Sequence, residues 1–215
     1  GAAITVALAR HLAARARNEG PLPYSVMFVA TGGHEIYGYG LERALNCVNP
    51  DGVLAYIHLG AGLVSRGYLE VLGNVVPLPG PSQTRALVMS ENAVLEALVD
   101  QAFHVSELGL FFRFAAGQAA PGEAEVAYNL GIPMMSLTGA NPFHHTPEDT
   151  TEQVLFDLLP DMFGAYRQLV DSLMETPFET LKGANGATTG DPARNRGYAC
   201  AGPISGLDPA LQRAP

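Results

Sequence analysis

Pro142-Phe143-His144-His145-Thr146-Pro147-Glu148-Asp149-Thr150 is the stretch on which the reading of this chain turns. A proline-bounded turn presents two adjacent histidines, and a Thr/Asp pair then opens a long amphipathic segment. Imidazoles held on a rigid loop beside a helix start are suited to metal ligation or general-base work. Just upstream, Gly131-Ile132-Pro133 runs into the apolar Met134-Met135-Ser136-Leu137-Thr138, which reads as a strand over Ile132 to Leu137. Far upstream, Ser25 to Gly40 (SVMFVATGGHEIYGYG) takes another apolar run into a glycine-rich turn that carries His34 and Glu35.

Between these landmarks apolar periodicity alternates between helical and strand spacing, which predicts an α/β layer architecture. Ile4 to Arg17 has alanine and leucine at helical spacing and is closed by Asn18-Glu19-Gly20-Pro21, so it reads as a helix. Ser25 to Ala30 reads as a buried strand, Leu41 to Asn46 as a short helix and Gly52 to Leu59 as a second strand. Tyr68 to Val76 reads as an edge segment before the Pro77-Leu78-Pro79-Gly80-Pro81 break. Thr84 to Met89 reads as a strand or extended entry, followed by a helix over Glu91 to Glu107 with Ser90 as its N-cap. Phe111 to Phe114 reads as strand core. Thr151 to Met174 reads as a long helix that Pro160 kinks or interrupts. Beyond Lys182 the small, polar and Gly/Pro-broken sequence has no period. The expected organisation is therefore an α/β domain over residues 1–182 and an extended tail over 183–215.

The ordered set of motifs resembles the di-zinc aminopeptidase family, whose fold is shared by glutamate carboxypeptidase, glutaminyl cyclase and the non-catalytic transferrin receptor ectodomain. The resemblance rests on the strand into Gly32-Gly33-His34-Glu35, on Gly131-Ile132-Pro133 and on His145-Thr146-Pro147-Glu148-Asp149-Thr150. It covers roughly residues 1 to 175. It implies a three-layer α/β/α sandwich on a mostly parallel central sheet, with the early strands of the fold missing and a sheet edge left open. An open edge is a template for another chain. The implied partners are thus a second copy or a neighbouring polypeptide.

Carried over residue by residue, the family's site arrives damaged. His34 stands at the general-base position, Glu35 at a ligand glutamate and His145 at the last ligand histidine. The ligand aspartate falls at Gly60, with His58 two residues earlier as a substitute ligand. Two further ligands lie upstream of the family's first helix and have no counterpart here. Glu123 keeps the acidic character of a substrate-pocket segment in which Ala124 replaces a histidine. Glu123 and His144 are the candidates for contact with a bound ligand. A catalytic zinc needs three protein ligands and an open position. The ligand count therefore predicts that zinc is absent or substoichiometric, and that the chain is a pseudo-peptidase used for binding or assembly. The alternative is an active zinc aminopeptidase or amidase acting on peptide N-termini, with ligands supplied from outside this segment and His34 as base. Each residue also has a plainer reading: Glu35 as an acidic residue at a helix start, and His34, His58, His144 and His145 as hydrogen-bonded or solvated side chains. His11 and His104 read as core-edge or solvated helix residues.

Composition narrows the partners. The 215 residues carry 21 acidic against 12 basic side chains, a formal net charge of -9, and Lys182 is the single lysine. Such a chain lacks the basic face that phosphate backbones require, which argues against nucleic-acid binding. No apolar run is long enough for a membrane helix. Gly38-Tyr39-Gly40 and Gly60-Ala61-Gly62 do not complete a dinucleotide fingerprint. Ser65, Ser90 and Ser136 lack the Gly-x-Ser-x-Gly context of a nucleophile. Cys47 and Cys200 either form one bridge or remain two thiols. The resemblance implies a secreted, periplasmic or cell-surface location.

Overall fold

The computed structural model describes residues 1–32, 34, 38–45, 47–82, 84–103, 108, 111–114, 122–139 and 141–184. Glu35, His104 and all of the tail beyond Ala184, Cys200 included, lie outside the described residues.

Helices and a mixed sheet alternate along the chain, as an α/β protein requires. Helix α1 (Ala2–Glu19) is followed by α2 (Tyr39–Leu45) and strand β1 (Tyr56–Leu59). A hairpin of β2 (Arg66–Val71) and β3 (Asn74–Ser82) comes next, then β4 (Arg85–Met89), α3 (Ala93–Ala102) and β5 (Phe111–Arg113). The C-terminal part holds α4 (Ala124–Asn129), β6 (Met134–Gly139), α5 (Leu159–Glu175) and α6 (Phe178–Gly183). The main sheet has the order β1-β6-β4-β5. Strands β1 and β6 pair parallel, as do β4 and β5, and the central β4–β6 pair is antiparallel.

Alternation along the central strands feeds two separate cores. Leu87 and Met89 of β4 and Met135 and Leu137 of β6 join Ile4 and Leu8 of α1, Leu95 and Val99 of α3, and Met162, Tyr166 and Leu169 of α5. Val88 and Met134 instead pack with Leu41 and Leu45 of α2 and with Ala124, Val126 and Ala127 of α4. Helix α1 is also held to α5 by charge. His11 Nε2 lies 2.9 Å from Asp171 Oδ1, and Arg15 Nη1 donates to the same oxygen at 3.0 Å.

Several elements differ from the expectation. Ser25 to Ala30 forms no strand, and Val26, Met27 and Phe28 stand 39%, 55% and 42% exposed. A run of β-forming residues becomes a strand only where a partner supplies hydrogen bonds, and this one pairs with no strand among the described residues. Strand β3 continues through Pro77, Pro79 and Pro81 to Ser82, where a break was expected. Prolines are tolerated on an edge strand where the missing N–H would have pointed outward and had no ladder bond to make. Phe112 is 60% exposed on β5, an edge strand, and so is not core. Asn92, not Ser90, caps α3: its side chain accepts from Leu95 N at 2.9 Å. Ser90 Oγ is committed to the main-chain N–H of Met134 at 2.9 Å. The expected long helix from Thr151 is two 3-10 turns, Thr151–Gln153 and Phe156–Leu158, followed by α5. Pro160 sits in the first turn of α5 and does not kink it, because its missing N–H is one a helix start leaves unpaired anyway.

Candidate functional site

The candidate residues divide into two groups, because the folding of three segments brings only some of them together. Strand β1 presents Tyr56 and His58 on one face, their rings stacked at 6.3 Å and 13°. In the parallel β1–β6 register His58 stands beside Ser136, and His58 Nδ1 lies 2.8 Å from Ser136 Oγ. Glu123, just before α4, faces them from the next layer. Its Oε2 is 3.8 Å from His58 Nε2 and 3.5 Å from His34 Nδ1, and its Oε1 accepts from Thr31 Oγ1 at 3.0 Å. One carboxylate is therefore shared by two imidazoles and a hydroxyl. Gly122 makes the approach possible: a Cβ there would stand 3.3 Å from the His34 ring, and its φ of +72 is one that side chains avoid.

Burial is graded across this cluster. The His58 and Glu123 side chains are each 17% exposed, and His34 is 54% exposed. Burial pushes the His58 pKa below its ordinary value; Glu123 opposes that shift, while His34 and the Gly1 ammonium add to it. Burial, with Glu123 nearby, pushes the Tyr56 phenol up. His58 is thus a neutral imidazole near neutral pH, and a contact of 3.8 Å to Glu123 is too long for a hydrogen bond. Ser136 is only 5% exposed. Its contact with His58 Nδ1 fixes the orientation of the imidazole.

The second group is the His-Thr-Pro loop. His144 and His145 are exposed and stack on one another, ring centroids 3.8 Å apart. His145 has a φ of 64, in the left-handed region. The loop is tied by its own backbone and by short polar side chains. Phe143 N donates to Asn141 Oδ1 at 2.9 Å, Thr146 N and Oγ1 donate to Phe143 O at 2.9 and 2.7 Å, and Asn141 Nδ2 donates to Asp149 Oδ1 at 2.6 Å. The Thr/Asp pair expected to open a long amphipathic segment does not cap a helix near Thr151. Thr150 makes no side-chain cap bond, and Asp149 closes the loop onto Asn141.

Three segments therefore bring His34, His58 and Glu123 together, while His144 and His145 form a pair of their own. Glu35, the remaining candidate ligand, lies outside the described residues. Among the described residues no three His, Cys, Asp or Glu side chains are arranged to hold a metal ion. The fit of zinc to the resemblance's ligand positions can be tested at Gly60. A Cβ at Gly60 would lie 2.7 Å from Leu137 O, 2.7 Å from Thr138 Cβ and 2.8 Å from Thr138 Oγ1. Backbone occupies the place of the ligand aspartate's side chain, so that position does not fit the metal. Thr31, Tyr56 and Ser136 are members of the site that sequence reasoning missed. Only the register of β1 against β6 reveals Ser136. Cys47 is disulfide-bonded, which settles one of the two alternatives left open for it. No protein-family model, no curated protein and no solved structure matches this chain.

Proposed function

We propose that this chain is a non-catalytic binding or assembly domain on a three-layer α/β/α scaffold of the zinc-aminopeptidase type. The observation that carries the reading is Gly60, where main-chain and Thr138 atoms leave no space for the aspartate that a zinc site of that type needs. A second observation agrees with it. Glu123, the carboxylate nearest the former base position, already accepts from Thr31 Oγ1 and has His34 Nδ1 at 3.5 Å. A carboxylate so engaged is a poor free ligand for an incoming cation or ammonium group. Binding would then use the exposed His34 and His144 as polar contacts, with Glu123 holding His34 in place and no bond being cleaved.

The partner on this reading is another polypeptide or a second copy, met through an open sheet edge. The disulfide-bonded Cys47 supports a location outside the reducing cytoplasm. Among the described residues no helix is long and apolar enough to cross a membrane. Metal analysis and a peptidase assay test the proposal. Purified protein is expected to carry well under one zinc per chain and to leave amino-acid anilides intact. Stoichiometric zinc with turnover that both Glu35→Ala and His145→Ala abolish would overturn it.

A further inference from the structure

The hairpin β2–β3 stands apart from the main sheet, and among the described residues its strands pair with each other and with no third strand. A two-stranded sheet alone in water is marginally stable, and burial of a face or addition of strands is what secures it. Among the described residues the anchoring contacts of this one lie at its root. Ser65 bridges to Val154, Leu155 N donates to Val64 O at 2.8 Å, and the Tyr68 ring meets Phe143 edge-on at 5.1 Å. Toward the tip, Leu69, Val71, Leu72, Val75 and Val76 stand 53%, 44%, 96%, 40% and 46% exposed. Leu69 and Val71 share a face, and Val76 lies opposite Leu69.

The two outer edges differ chemically. Val71 and Asn74 flank the two-residue turn Leu72-Gly73, whose φ values of 51 and 78 suit a tight hairpin, so this closing pair is hydrogen-bonded. Alternation then makes Glu70/Val75 and Tyr68/Pro77 the pairs that share no ladder hydrogen bonds with each other, their main-chain polar groups directed away from the paired strand, up to the register shift between Arg66 and Tyr68. On β3 the outward nitrogen of Pro77 has no hydrogen, and Pro79 and Pro81 lack donors too. That edge is blocked against a further strand. The edge of β2 has no proline, and it directs the N–H and C=O of Glu70 outward.

We propose that β2 pairs antiparallel with β2 of a second copy about a two-fold axis at Leu69, giving a four-stranded sheet in the order β3-β2-β2-β3. This register sets Leu69 against its own counterpart and merges the Leu69, Val71 and Val76 faces of the two hairpins. It also places Arg66 diagonal to the second copy's Glu70, twice by symmetry. Centring the axis on Glu70 would oppose two carboxylates, which disfavours that register. Arg66 and Glu70 are the only charged residues between 66 and 82, so the hairpin is neutral on a chain of net charge -9 and can meet its own copy without repulsion. The inference deepens the assembly reading above and rests on it for the kind of partner. It is independent of what zinc analysis returns.

Sedimentation velocity of the full chain across a micromolar concentration series tests it, with thermal melts to confirm folding. The expected result is a reversible dimer that Leu69→Lys converts to a folded monomer and that Phe28→Lys, in the other exposed apolar segment, leaves intact. Arg66→Glu and Glu70→Arg should each shift the equilibrium toward monomer, and the double exchange Arg66→Glu/Glu70→Arg should restore the dimer. A monomer at every concentration would overturn the proposal. So would a dimer that survives Leu69→Lys, or a charge exchange that restores nothing.

Discussion

His58 is an imidazole kept neutral by its surroundings, and that has a measurable consequence. Its pKa is lowered in the folded chain, by burial above all, against the pull of Glu123 and with His34 and the Gly1 ammonium adding to the lowering. An unfolded histidine titrates near its ordinary value of about 6.5. Below that pH the unfolded chain binds a proton that folded His58 refuses, so the unfolded state holds more protons and stability rises with pH through this window. The contribution is complete above the unfolded value and is lost as the pH falls through the folded one. Melts from pH 8 down to about 5 should show falling stability that His58→Asn flattens. Gly60 supplies a second test at the same scale. Gly60→Ala should cost about 1–3 kcal/mol by overpacking against Leu137 O and Thr138. Gly60→Asp should destabilise at least as much and restore no zinc binding, as calorimetry with added zinc would report; tight zinc binding by Gly60→Asp would contradict the packing argument.

At the level of elements, α3 depends on Asn92 in two directions. The 1% exposed side chain accepts from Leu95 N and donates through Nδ2 to Leu181 O at 2.8 Å, joining the start of α3 to α6. Asn92→Ala should cost about 1–3 kcal/mol, since a helix N–H and a buried carbonyl both lose a partner. Asn92→Ser, which keeps the cap and drops the carbonyl contact, should fall between in urea titrations. Helices α1, α2 and α3, the body of α5 and the strands β1, β4 and β6 were legible from period and composition, because their apolar faces are local facts; the six-residue helices α4 and α6 are too short to show a period and were not read. Ser25 to Ala30 was misread because strand formation is decided by a neighbour, which a run of valine, methionine and phenylalanine does not name. Pro160 was misread by one structural boundary: the same residue breaks a helix interior and starts a helix, and only the two 3-10 turns before it decide which. Of the site, His34, His58 and Glu123 were legible as candidates, yet their convergence was not. Thr31 and Ser136 are ordinary hydroxyls until the loop and the strand register set them against charged groups.

For the molecule as a whole, the position of β6 has a consequence in time. It lies between β1 and β4, although it is the last strand of the sheet in chain order. Residue 56 must meet residue 134, and residue 89 must meet residue 135, before the sheet is continuous. Pairings across such sequence separations close late and slowly. A chain ending before Met134 would hold β1 with no partner among the described strands. Fragments of that length should therefore show little cooperative unfolding, and in the full chain the amides of β1 and β6 should exchange hydrogen together, as one unit. Separate exchange of β1 would contradict this. During synthesis, then, the α1-to-β5 portion waits with the apolar flanks of β1 and β4 uncovered. The interval before residues 134–139 leave the ribosome is the moment at which this protein most needs a chaperone.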